Sequence, residues 1–122
     1  MLVCIQTYNM EVKVLMNEEP RFGEYLKQLI KAAGLTQTDF YTQLGIRKPY
    51  FYDIASGRVN PPPPHLQFKA VEILHADEET KIRFFNLAAK ERGEMPADIT
   101  QMISNNPDAI ASIRNSLRMA TN

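Results

Sequence analysis

The chain has 122 residues, 44% of them hydrophobic and 23% charged, which excludes wholesale disorder and suits one core built from several helices rather than two independent ones. Its formal net charge is 0, an average that argues against a polyanionic partner but hides an uneven distribution: Arg21 to Arg58 carries +3 and the remainder −3. Cys4 is the single cysteine, so an internal disulfide is excluded, and with only His65 and His75 beside it neither a zinc cluster nor another cofactor is expected.

Residues 1–19 form an N-terminal segment with no basic start leading into a long apolar run, and no stretch of the chain has the length of a bilayer span. A cytoplasmic protein is expected. Within this segment Val12 and Val14 alternate with Glu11 and Lys13, a strand pattern that could pair with Leu2–Ile5 as a short β-hairpin around Tyr8-Asn9. A lone hairpin is marginally stable, so this one would have to pack on the helices or on a second copy.

The first helix is predicted over Arg21–Ala33, where Phe22, Tyr25, Leu26, Leu29, Ile30 and Ala33 recur at helical spacing on one face, and Gly34 supplies its stop. Thr36 can cap a second helix, with Asp39 three residues on in the manner of a capping box, and that helix runs to about Gln43. Gly45 permits the positive φ of a sharp turn. A third helix begins near Lys48, tolerates Pro49 in its first turn and closes at Gly57.

Asn60–Pro64 is a stiff extended spacer in which Pro63 or Pro64 can open a fourth helix over about Leu66–His75. Asp77 caps a fifth, which carries Glu78 and Glu79 in its first turn, places Ile82, Phe85 and Ala89 on one face and ends with Lys90 and Arg92 before Gly93. Pro96 opens a short sixth helix with Ile99, Met102 and Ile103. Asn106-Pro107 reads as cap and first residue of a seventh, whose Ile110, Ile113, Leu117 and Ala120 form an apolar stripe.

The stretch that carries function is Thr36–Gly57. Phe40 and Leu44 stand four apart on the second helix, Phe51 and Ile54 three apart on the third, and Gly45 between them lets the two apolar faces meet at a steep angle. In Gln37, Phe40, Leu44, Gly45, Ile46, Phe51, Ile54 and Gly57 the chain resembles the Cro/XRE-like helix-turn-helix of phage-repressor and mobile-element regulators, slot for slot. With the preceding helix and the Ser56-Gly57-Arg58 exit, the resemblance spans about residues 21–75. It implies an all-α, lambda-repressor-like five-helix DNA-binding domain over residues 20–76, followed by a helical extension over residues 77–122 that would serve dimerisation. Tyr41 departs from the family pattern, which has a small residue there, so its ring must swing outward or widen the helix crossing.

What the resemblance implies for individual residues follows the slots. Thr36 and Gln37, at the start of the second helix, would hold a backbone phosphate, helped by the free N–H groups of that helix end. Lys48, Tyr52 and Asp53 would face the major groove, where a lysine can donate to guanine and an aspartate can accept from cytosine; Lys48 read as a plain surface charge and Asp53 in a helix-end ion pair are the alternatives. Arg47 and Arg58 would clamp phosphates. Tyr50 could stack, touch a thymine methyl or bond a phosphate, or it could feed the core.

Enzyme chemistry has no foothold: there is no phosphate-cradling glycine loop, no H-E-x-x-H and no nucleophile with a histidine at a recognised spacing. The expected function is therefore a sequence-specific regulator of transcription, a repressor that binds double-stranded DNA as a homodimer on a palindromic operator. An antitoxin-like or adaptor module, binding a protein through the C-terminal helices, is the competing expectation.

Overall fold

In the computed structural model, which describes residues 19–121, the chain is all-helical, with seven helices and no strand among the described residues. They are α1 (Phe22–Ala32), α2 (Gln37–Leu44), α3 (Lys48–Ser56), α4 (Pro64–Ile73), α5 (Glu78–Arg92), α6 (Ala97–Asn105) and α7 (Pro107–Thr121). The expected hairpin over Leu2–Leu15 lies outside the described residues.

Local chemistry sets most of the boundaries. The Asp39 N–H donates to Thr36 Oγ1 (3.0 Å) and the Thr80 N–H to Asp77 Oδ1 (2.8 Å), which caps α2 and α5 at the first turn. Gly45 closes α2 with φ +84°, a left-handed conformation that a side chain would oppose. Two boundaries differ from expectation. α4 opens at Pro64, one of the two prolines expected to start it, with Pro63 in the extended N-cap conformation, but it ends before His75, whose φ of +51° breaks the helix. Asn106 closes α6 rather than capping α7 with its side chain: its amide donates to the Met102 carbonyl at 3.0 Å.

One core runs through α1 to α6. Phe22, Phe40, Phe51, Phe84 and Ile30 are its largest fully buried side chains. Phe22 meets Phe84 edge-on at 5.0 Å between centroids, so α1 is held by α5 from more than fifty residues away. α5 is buried over more than one side: Phe84, Phe85, Leu87, Ala88 and Ala89 are all buried, a band too wide for a single helical face. Ile82, expected on that face, is instead 51% exposed, because burial on α5 begins a turn later, where α1 and α4 close on it.

Polar contacts lock the same joint. The free Phe22 N–H at the start of α1 donates to Glu91 Oε2 of α5 (2.6 Å), and Arg21 lies 3.9 Å from the other carboxylate oxygen. Next in sequence, Arg92 donates to the Pro61 carbonyl (2.9 Å) and to both oxygens of Glu94 (3.0 and 3.1 Å), tying the proline spacer to the end of α5. Gln67, buried under that spacer, donates from Nε2 to the Pro62 carbonyl at 2.8 Å. α7 stands apart from this body: none of its residues is buried, and Ile110, Ile113, Leu117 and Met119 are exposed.

Candidate nucleic-acid interface

The two helices that carry the motif are set by their apolar residues. Phe51 is fully buried and touches three rings: Phe40 at 6.0 Å, Tyr41 at 5.5 Å and Tyr52 at 5.7 Å. Each such pair adds about 0.5–1.5 kcal/mol beyond burial, so the cluster fixes how α3 crosses α2. Tyr41 is half-buried and lies over Phe51 with its plane tilted by 39°, covering the outer side of that ring rather than swinging clear of the crossing.

α3 is held from behind by an unusually close approach to α1. A Cβ placed on Gly23 would stand 2.4 Å from the Ala55 carbonyl oxygen and 2.6 Å from that of Ile54, so the two helix backbones touch where only glycine fits. At the end of α3, the Arg21 guanidinium carbon lies 3.5 Å from a Cβ built on Gly57, reaching that helix end from the start of α1. Cations are favoured at a helix C-terminus, where carbonyl groups are unpaired.

With its inner side so fixed, α3 presents an outer row. Lys48 opens the helix, exposed, and its ammonium stands 5.7 Å from the Tyr52 ring centroid, one turn on; Tyr52 is 46% exposed. Asp53 is half-buried and its Oδ1 lies 3.7 Å from the Arg58 guanidinium. The Arg58 N–H also donates to the Asp53 carbonyl at 2.9 Å, which ties the exit loop to the last turn of α3. Arg58 is largely solvated and Asp53 partly so, and the ion pair therefore contributes at most about 1 kcal/mol.

The other expected site residues take these places. Thr36 uses its hydroxyl oxygen as the α2 cap, leaving only its O–H free to donate outward. Gln37 is half-buried in the first turn of α2, and Arg47 is exposed at the N-cap position of α3 with no side-chain cap bond. Tyr50 is half-buried and packs against the core. Lys48 with Tyr52, and Asp53 with Arg58, are thus brought together as two pairs, while Thr36 and Gln37 sit at the other helix end.

Three residues that position the site were not among those expected: Gly23, Arg21 and Glu91. Gly23 carries a signal in the sequence, since glycine inside an otherwise good helix costs about 1 kcal/mol and so marks a close approach. The others act through contacts far apart in the chain. The Tyr25 hydroxyl, near this joint, is pushed above its ordinary range by burial. Among the described residues no group of His, Cys, Asp and Glu is placed to hold a metal, and no helix is long and apolar enough to cross a membrane.

Comparison with known proteins agrees with this geometry. The model of the helix-turn-helix domain family matches residues 21–81, half of the chain, from the residue before α1 into the first turn of α5. No curated protein and no solved structure matches. Two short helices joined through a left-handed glycine, the second locked by aromatic packing with Lys48 and Tyr52 exposed on its outer row, lie inside the matched segment, and the chain belongs to the helix-turn-helix domain family, a DNA-binding class.

Proposed function

We propose that the chain is a sequence-specific regulator of transcription, of the Cro/XRE-like phage-repressor type, that inserts α3 into the major groove of double-stranded DNA. The observation that carries this reading is the division of α3 into a locked inner side, Phe51 and Ile54, and an exposed outer row led by Lys48 and Tyr52. Lys48 specifies a guanine, Tyr52 lines the groove wall beside it, and Arg47 and Arg58 hold the flanking phosphates. Gln37 and the Thr36 hydroxyl hold a further phosphate at the start of α2.

In this reading residues 20–76 are a lambda-repressor-like DNA-binding unit. Residues 77–122 brace that unit and then continue as an extension. The protein acts as a repressor by occupying a palindromic operator as a homodimer, since one module spans only a half-site. Support for self-association comes from α7, whose Ile110, Ile113 and Leu117 recur at helical spacing on one exposed stripe. The same stripe favours the second reading, an antitoxin-like or adaptor module whose partner is another protein.

Affinity for duplexes varied at single positions tests the assignment. Lys48→Ala should cost about 1–3 kcal/mol on the preferred site and relax discrimination at one base pair, whereas Arg58→Ala should weaken all duplexes alike. Equal losses on every sequence for Lys48→Ala would overturn its role as a reading residue. Sedimentation of the full chain separates the two partner readings: a dimer that Ile113→Glu converts to a monomer supports the homodimer, and a monomer at every concentration supports the adaptor.

A further inference from the structure

We infer that Lys69, on α4 and outside the helix-turn-helix, is a DNA-backbone contact that completes a three-cation collar at the entrance of α3. This rests on the DNA-binding reading above and extends it to a helix that the motif does not include. Lys69 reaches across from α4 so that its ammonium lies 3.7 Å from a Cβ placed on Gly45, at the turn between α2 and α3. Arg47 and Lys48 follow that turn within three residues, both exposed.

Cations from two separate elements, Lys69 of α4 and the Arg47-Lys48 pair that starts α3, therefore flank one short turn. Among the described residues none of the three forms a salt bridge, although Asp53, Glu78, Glu91 and Glu94 all find cationic partners elsewhere on the surface. The first turn of α3 contains no acidic residue and receives no side-chain cap. By contrast α2 starts with the Thr36 cap and Asp39, and α5 with the Asp77 cap, Glu78 and Glu79.

Placing like charges together beside a positive helix end works against folding. Such a cluster is compensated when a polyanion arrives, and a lysine ammonium on a flexible stem suits a phosphate, which it meets as a point charge from many directions. Lys69 faces the turn rather than the outer row of α3, so it positions the duplex without reading it. Stability and binding then depend on Lys69 with opposite signs. A lysine that merely packs its stem on α2 would lower both when removed.

The test is Lys69→Ala in the full chain, with Lys69→Arg as the charge-retaining control, titrated against the preferred duplex and a scrambled duplex of equal length over a series of salt concentrations. Loss of one phosphate contact should reduce the slope of log K against log salt by about 0.9, which at 0.1 M salt is an affinity loss of about eightfold, equal for both duplexes. Lys69→Arg should restore slope and affinity, and the free Lys69→Ala protein should melt no lower than the parent. An unchanged slope, or a fall in melting temperature that accounts for the weaker binding, would overturn the assignment of Lys69. Failure of the parent chain to bind either duplex would overturn the DNA-binding reading itself.

Discussion

Replacing Gly23 by alanine adds one methyl group at the point where α1 and α3 touch. The new carbon would stand 2.4 and 2.6 Å from two carbonyl oxygens and 2.8 Å from the Ala55 carbonyl carbon, all of them backbone atoms that cannot rotate away. Ordinary C···O contacts begin near 3.3 Å, so the helices must separate by about 0.9 Å. Overpacking of this kind costs up to about 3 kcal/mol, against which alanine returns about 1 kcal/mol of helix propensity. The expected net loss of about 2 kcal/mol lowers the melting temperature by roughly 6–10 °C, read by circular dichroism at 222 nm. Because the displaced helix is the one that reads DNA, affinity for the preferred duplex should fall further than affinity for a scrambled one at a temperature where both proteins are folded. A melting temperature equal to or above that of the parent would refute the close approach, since propensity alone would then decide the outcome.

Further expectations concern the joint between α1 and α5 and the start of α5. Glu91→Ala removes the acceptor for the Phe22 N–H and should destabilise the fold by about 1–2 kcal/mol, the usual cost of losing a helix cap, measured by urea denaturation. Hydrogen bonding from Thr80 holds the Asp77 carboxyl below the ordinary aspartate range, so the stability it confers is complete above the unfolded value near pH 4 and is lost as pH falls through its lower folded value. Asp77→Asn keeps a good cap without a titrating group, and a stability curve between about pH 5 and 2 should fall less steeply than that of the parent. Glu94, held low by its hydrogen bond to Arg92, retains part of the acid dependence in both proteins.

Most of the helical frame is legible in the sequence because its causes are local. Thr36 with Asp39, Asp77 with Thr80, prolines in first turns and Gly45 at the turn each act within four residues, and the periodicity of Phe22 through Ile30 reports a single buried face. What escaped reading depends on which helices meet. Glu91 looks like one more solvated charge near the end of α5 until α1 is placed against it, 69 residues away in sequence. Ile82 misleads because α5 is buried over more than one face near its C-terminal half and hardly at all near its start. At the site, the outer row was readable from the spacing of its inner partners. The helix-end ion pair of Asp53 was legible as an alternative, since Arg58 follows within five residues; the approach of Lys69 to the turn was not, since it follows from the path of the chain beyond α3.

The central claim, that α3 reads a sequence, is tested most directly by selection of duplexes from a random pool with the full chain at moderate salt. Enrichment of two inverted half-sites centred about 10 base pairs apart is expected, with one position losing its preference when Lys48→Ala is used for the selection. A pool that stays random through successive rounds, while the protein remains folded, would contradict it.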